Sequence, residues 1–537
     1  MADSRPSSVE SAQPSPSERA IERAPTAIAA FVGRTLKGPV NQPVLVTSFS
    51  EFQQHFGGLW QPSTLSYAVE QFFENGGRRA YVVRVINGAH PPTIALPAGA
   101  ALLKLIGLNP GSREYLRASV DYDGIEESEA DRFNLVVQRV RSAGSELIED
   151  QEIFRRTSVL PESGRHVAAV LAQSRLVRVL GEVPGQRPDR SSISLGGAGV
   201  GYAVSKPDGD DGAPLTDYDV IGSAVHCTGV FALKSVPTFN FLCIPPLARE
   251  QDVGCSTLLV AARFSRERHA MLIVDPPMSW ISPRTALDAL RTWPFRSDSA
   301  LMYFPRVQAF DRLRGRVETF ASCGAAAGMI ARSDEVWPVW AAAESDDAVL
   351  RPGLRPAVPV SDSDRTRLAQ AGINVLASVR SSYRAGISPR TLAAGVSGVN
   401  DWRYLSSRRL ALFIASSIEQ GTRWVLLEPN TEPTWEKAQA QAEAFLDALA
   451  DGGAFSGSAP EESHFVIADE RVNREQTLAE GKFNLLFGFA TSKPGEFDTW
   501  LVTHQPGASR VRPVSVNRLA TARQRVDWEI ETSILRS

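Results

Sequence analysis

Cysteine is scarce in this chain, four residues in 537. Cys227, Cys243, Cys255 and Cys323 form no CxxC pair and no metal-ligand spacing, which excludes a zinc module and a disulfide framework. Cys227 and Cys243 lie in or beside apolar runs and read as buried small hydrophobes, as expected of a reducing compartment. The seven histidines never bracket an acid at i, i+4 spacing, so nothing supports a metalloenzyme. No apolar run approaches a membrane span, and the N-terminus lacks the basic-then-apolar layout of a signal peptide. Charge of one sign is missing too. A net of −3 gives no global drive toward nucleic acid or an anionic membrane.

What is there is ordinary globular composition, 43% hydrophobic and 22% charged. It is spread over more residues than one core holds, so roughly two to four domains are expected. Residues 1–26, rich in Ser, Pro and Glu, read as a disordered or extended N-terminal arm. Ala27–Gly33 and Val44–Val46 read as strands, with Ser48 or Ser50 capping a helix that carries Phe49, Phe52 and Phe56. A helix over Leu65–Glu74 stops at Asn75-Gly76-Gly77, before a strand at Ala80–Val85. From about 91 to 205 short β segments such as Tyr115–Val120 and Phe133–Val140 alternate with turns, which implies a β-rich domain.

Residues 206–350 then alternate strand and helix, which implies a parallel sheet covered by helices. Val236–Ile244, Ala270–Val274 and Ser299–Tyr303 read as strands. Ser256–His269, Arg284–Thr292 and Val317–Ala331 read as helices. Ser345–Val360 reads as a linker. Beyond it lie a helix at Arg408–Gln420 with Leu410, Phe413, Ile414 and Ile418 on one face, and a buried strand at Trp424–Leu427. The Trp435–Ala450 helix is amphipathic. Ser463–Ala468, Gly481–Phe489 and Asp498–Thr503 read as strands.

Catalytic and ligand-binding readings are weak. An α/β region invites a Ser/His/Asp triad, and Asp275, His226 and His269 lie there, but no glycine-flanked nucleophile surrounds any serine. Asp275 reads instead as a cap on the Pro276-Pro277 loop. The cluster Gly196–Gly201 lacks the Lys-Ser/Thr ending of a phosphate-binding loop and reads as a tight loop. No cofactor is implied and no catalytic, cofactor-binding or metal residue is assigned.

Two stretches carry more information. The first is FVGRTLKGPVNQPVLVTSFSEFQQHFGG with the later ENGGRRAYVVRV, containing Phe31, Gly33, Gly38, Pro39, Gly76 and Gly77. The second is DWRYLSSRRLALFIASSIEQGTRWVLLEPN, containing Trp402, Arg403, Tyr404, Arg408, Arg409, Trp424, Glu428, Pro429 and Asn430. Their order and spacing resemble the conserved core of contractile tail sheath proteins, found in contractile-tailed phages, R-type bacteriocins and contractile injection systems. The resemblance covers residues 27–90 and 360–503 strongly and the middle weakly.

It implies an α+β and α/β multidomain fold. A sheath core would be built from residues 27–90 and 351–504. A β-rich domain at 91–205 and a subtilisin-like α/β domain at 206–350 would be inserted between them. It further implies a non-enzymatic subunit of stacked hexameric rings around an inner tail tube, with baseplate and terminator or cap proteins as partners and no nucleic acid or membrane insertion. Such a protein is assembled in the producing cell's cytoplasm and ends in a virion tail or released particle. Two rivals stay open: a low-copy sheath-like baseplate or cap-proximal component, and a subtilisin-like hydrolase.

Sheath relatives tether neighbours through terminal arms that add strands to another subunit's sheet. Here residues 505–537 form an extension. In Val526-Asp527-Trp528-Glu529-Ile530-Glu531 apolar and acidic residues alternate, so Val526, Trp528 and Ile530 share one face of a strand. Pairing within the chain, donation to a neighbour and disorder all stay open. The core faces the tube in this family, and the candidate contacts are the Trp435–Ala450 helix with the loop to Phe455, carrying Lys437, together with Arg471, Arg474 and Lys482. Pro389-Arg390-Thr391-Leu392 matches a family loop, although its approach over Ser378–Ser388 diverges.

Overall fold

The computed structural model describes residues 20–191, 201–341, 349–376, 388–394, 401–457, 459–514, 517–519 and 527–529. Most of the N-terminal arm, Gly196–Val200, parts of the 345–360 and 378–388 segments, Val526 and Ile530 lie outside them.

A seven-stranded central sheet organises the chain. Its order is Asn374–Val375, Ala300–Phe304, Met271–Val274, Phe241–Cys243, Ala29–Gly33, Ala80–Arg84 and Val44–Val46. All neighbours are parallel except the last pair. Ala29–Gly33 is buried throughout, and its side chains alternate between two cores. Ala29 and Phe31 enter one, Ala30 and Val32 the other. A parallel strand covered on both faces reads as a continuous apolar run, and AAFVG is one.

This sheet draws strands from both the 27–90 and the 206–350 segments. Ala29–Gly33 pairs on one side with Ala80–Arg84 and on the other with Phe241–Cys243. One hydrogen-bonded ladder therefore runs continuously through both segments. Neither segment has the sheet to itself, because a short βαβ piece cannot bury both of its faces alone.

One face of the sheet is covered by helices Thr64–Glu74, Cys323–Asp334 and Leu405–Gly421, the other by Cys255–Glu267 and Pro283–Leu290. Leu405–Gly421 starts earlier than expected and is buried nearly all round. It lies between the central sheet and a second, C-terminal sheet, which explains its apolar circumference. Residues 91–205 carry two sheets that share a core of their own: Thr93–Ala98, Ala101–Gly107 and Val177–Val179 face Tyr115–Asp121, Arg132–Val140 and Ile148–Ser158, with Ala203–Val204 at the edge. Buried Arg84 joins this β-sandwich to the central sheet, donating to the carbonyls of Gly38 and Pro110, each at 2.8 Å.

Local expectations fail where short apolar runs are ambiguous. Trp424–Leu427 is not a buried strand. Arg423–Leu427 is a 3₁₀ turn between two helices, burying Trp424 and Val425 but leaving Leu427 85% exposed. Val317 does not start a helix. Arg316–Phe320 pairs with Val307–Asp311 as a hairpin, and the helix begins at Cys323. In the 236–244 stretch only Phe241–Cys243 is strand, following a 3₁₀ segment at Gly229–Ser235. Cys227 is exposed rather than buried.

Helix Cys323–Asp334 crosses Thr64–Glu74 at very close range. A Cβ on Gly324 would lie 2.0 Å from the Ala68 carbonyl oxygen, and one on Gly328 would lie 2.3 Å from that of Phe72. Backbone cannot retreat as a side-chain tip can. Gly328→Ala is therefore expected to cost about 1–3 kcal/mol in denaturant unfolding, the range for overpacking.

On the same Thr64–Glu74 helix, burial and the neighbouring Glu74 push the Glu70 carboxyl up to about 7, although Arg312 lies near both acids. A raised carboxyl pKa means the folded chain holds a proton that the unfolded chain releases. This contribution to stability is complete below about 4.5 and is lost as pH rises through about 7. Glu70→Gln should flatten the pH dependence of the melting temperature across that window, and an unchanged profile would contradict the assignment.

Candidate functional site

The C-terminal sheet is an antiparallel meander of His464–Ile467, Phe483–Phe489, Asp498–Gln505 and Ala508–Val514. Phe483–Phe489 is buried at every position. One sheet face packs onto Leu405–Gly421 and Glu432–Asp451 through Phe483, Leu485, Phe487, Trp500 and Val502, while Leu486 and Leu501 form a small cluster on the other. Ala508–Val514 belongs to the sheet as its fourth strand, so the extension expected at 505–537 begins only after it. Beyond it, Asn517–Leu519 and Asp527–Glu529 pair antiparallel, with Arg518 opposite Trp528. This two-stranded ladder joins no larger sheet among the described residues. An isolated hairpin is marginal in water, and open strand edges invite another chain.

Trp402 and Arg408, from the second of the two stretches, lie at the junction between the two sheets. Trp402 stacks on Trp500 with ring centroids 5.6 Å apart and donates to Asp498 at 3.0 Å. The buried Arg408 guanidinium lies 3.9 Å from the Trp402 ring centroid and donates to Ser299 at 3.2 Å; burial pushes its pKa down to about 10. Arg409 pairs with Asp334 and reaches the Thr26 carbonyl, tying the incoming N-terminal segment to two helices. Arg403 lies over the Tyr404 ring. Asn430 accepts from Trp435 at 2.7 Å and donates to the Lys482 carbonyl, while Thr434 bonds to the carbonyl of Pro429. Gly76 takes a φ of +110°, where a side chain would be strained. The Pro389–Leu392 loop is held by Thr391 donating to the Trp402 carbonyl and by Arg390 over Tyr404. These contacts are structural, and none leaves a reactive group open.

The four cations assigned to the tube are not a free basic patch. Lys437 lies 3.8 Å from Glu428, Arg471 grips Asp469 at 2.6 Å, and Lys482 pairs with Glu480 at 2.6 Å. Arg474 donates to the Arg471 carbonyl. The helix bearing Lys437 is acidic on its solvent side, with Glu432, Glu436, Asp447 and Asp451 exposed.

The hydrolase reading finds no working triad. Asp275 does not cap Pro276-Pro277. Its Oδ1 accepts from the backbone N–H groups of Ser322 and Cys323 at 2.6 and 2.7 Å, capping helix Cys323–Asp334, while burial raises its pKa. His226 is exposed. His269 is half-buried, lies 3.2 Å from the Val511 carbonyl, and is pushed down to about 4 by desolvation, so it is neutral near pH 7. A Ser–His–Asp chain does occur elsewhere. Ser463 Oγ is 2.8 Å from His464 Nδ1, and His464 Nε2 is 3.1 Å from Asp447. Ser463 is only 3% exposed and bonds to the Pro460 carbonyl, so no substrate reaches it. Among the described residues no cluster of His, Cys, Asp and Glu could hold a metal, and no helix is long and apolar enough to cross a membrane.

Two sheets sharing one buried helix, with a β-sandwich set into the first, define a multidomain α/β scaffold. That scaffold is the fold of contractile tail sheath proteins. It superposes on the sheath tail protein of Listeria innocua with a TM-score of 0.56 and 12% identity, covering 92% of this chain and 98% of that one. It also matches the contracted sheath complex of an extracellular contractile injection system, PVC, with a TM-score of 0.51 and 15% identity over 93% and 96%. No protein-family model and no curated protein sequence matches the chain.

Replacing Asp275 by Ala removes the helix cap and should cost about 1–2 kcal/mol in chemical unfolding. A catalytic role for Asp275 would instead appear as serine-probe labelling of the wild-type protein that the variant loses, and no labelling of either is expected.

Proposed function

We propose that this protein is the repeating subunit of a contractile sheath. Copies stack as hexameric rings around an inner tube, on a baseplate and below a terminator, within a tail or released particle. Contraction rotates and shortens the rings and drives the tube through a target envelope. The observation that carries this reading is the fold match over nearly the full length of both chains. The work comes from differences between interfaces in two lattices, with no bound nucleotide required.

In this reading the β-sandwich of 91–205 is an inserted module, and residues 515–537 are the tether, with Val526, Trp528 and Ile530 on its apolar face. The Asn517–Leu519 and Asp527–Glu529 ladder gains a stable sheet by docking on an open edge of a neighbouring copy. The loops carrying Arg471, Arg474 and Lys482 face the tube, with Lys437 at their margin. Local pairing with Asp469, Glu480 and Glu428 leaves this surface only mildly charged, which suits a contact that must release on contraction.

Removing residues 515–537 while keeping strand Ala508–Val514 tests the reading. The shortened chain should unfold at an unchanged temperature yet give no cylinders by sedimentation and negative-stain microscopy, whereas the full chain, expressed with its tube and baseplate, forms them. Ordered cylinders from the shortened chain would refute the tether. A full chain that stays monomeric would refute the sheath.

A further inference from the structure

Single apolar side chains on a surface are ordinary, but the link between helices Leu405–Gly421 and Glu432–Asp451 gathers four of them. Within Leu426–Pro433, Leu427 is 85% exposed and Leu426 39%, and Pro429 and Pro433 are exposed as well. The fold does not explain the two leucines. Trp424 and Val425 supply the buried side chains of this turn, and Leu426 and Leu427 add little to any core.

The backbone that carries them is held firmly. Trp424 Nε1 donates to Gln441 at 2.8 Å, and the Glu428 N–H closes the turn on the Val425 carbonyl at 3.4 Å. Asn430 donates to the Lys482 carbonyl at 2.9 Å, and Thr434 to that of Pro429 at 2.7 Å. The rings of Pro429 and Pro433 fix φ at two further positions. An apolar knob presented on a fixed backbone meets a partner at low ordering cost.

The knob lies on the surface given to the tube. Through Asn430 it is bonded to Lys482, whose own N–H bonds to the Thr477 carbonyl at 3.1 Å, in the turn that follows Arg471 and Arg474. Glu428, next to Leu427, lies 3.8 Å from Lys437. The cations here are held by acids of their own chain, Lys437 by Glu428 and Lys482 by Glu480 at 2.6 Å. Exposed ion pairs of this kind contribute little to a contact. A protein interface has an apolar centre and a polar rim, and Leu426–Pro433 is the apolar part of this surface.

We propose that Leu427, with Leu426, Pro429 and Pro433, anchors the chain to the inner tube by seating in an apolar recess of the tube's outer wall, with the paired cations at the rim. The anchor rests on the sheath reading and names the side chains that grip the tube. One such contact is small, and its repetition along a cylinder makes the grip firm until the rings move.

The full-length chain, expressed with tube and baseplate, tests it. Leu427→Asn keeps the side chain's size and removes its apolar character, whereas Leu427→Met keeps that character. The asparagine variant should lower the tube recovered with sedimenting sheath about ten-fold or more, the share that one buried leucine supplies. The methionine variant should retain it. Both should unfold at the wild-type temperature and, expressed without tube, sediment as the wild-type chain does. Unchanged tube recovery with Leu427→Asn, or equal loss with Leu427→Met, overturns the anchor and leaves the sheath reading standing. Altered sedimentation without tube also overturns it and gives the knob to a neighbouring copy. A wild-type chain that makes cylinders but holds no tube removes the tube-facing assignment, and one that makes no cylinders removes the sheath reading; the anchor falls with either.

Discussion

Alternate side chains of Ala29–Gly33 feed two separate cores while its backbone bonds to strands drawn from distant parts of the chain. Everything else is arranged around that ladder. Its two flanking partners, Ala80–Arg84 and Phe241–Cys243, are separated in sequence by the β-sandwich, which therefore has to leave and re-enter the sheet at one point. Arg84 secures that point by bonding to carbonyls on either side of it. The same ladder fixes where helix Leu405–Gly421 can lie, and that helix in turn supports the C-terminal sheet.

Much of the local structure was legible in the sequence because periodicity and capping signals were strong. Helix Thr64–Glu74, strand Phe483–Phe489 and the buried side of Glu432–Asp451 follow from apolar spacing alone. Ser48 does cap Phe49–Phe56, accepting from the Glu51 N–H. What the sequence concealed was long-range. No local pattern tells that Phe241–Cys243 lies beside Ala29–Gly33. Asp275 was seen as the end of a strand, but the helix it caps begins 48 residues later in the chain. Leu426 and Leu427 read as core, yet a five-residue turn between helices could bury only Trp424 and Val425.

The candidate site was legible only in outline. Trp402 and Arg408 lie with Trp500 at the joint between the two sheets, whereas Gly33, Gly38, Gly76 and Gly77 pack beside Leu65, Phe56, Arg332 and Phe72. Surface partners are chosen by charge summed over a face, which one-dimensional reading handles poorly. Lys437 stood out as a cation, whereas its helix presents a row of acids to solvent. A scaffold with rigid internal joints and charge-bearing outer faces suits an assembly in which subunits keep their shape while their contacts change.

Cryo-electron microscopy of the assembled cylinder before and after triggering tests this account most directly. It predicts two helical lattices of different pitch built from one subunit, with the Ala29–Gly33 ladder and the Trp402–Trp500 stack intact in both and only the contacts between copies altered. A single fixed lattice, or a subunit whose central sheet is broken in one state, would contradict it.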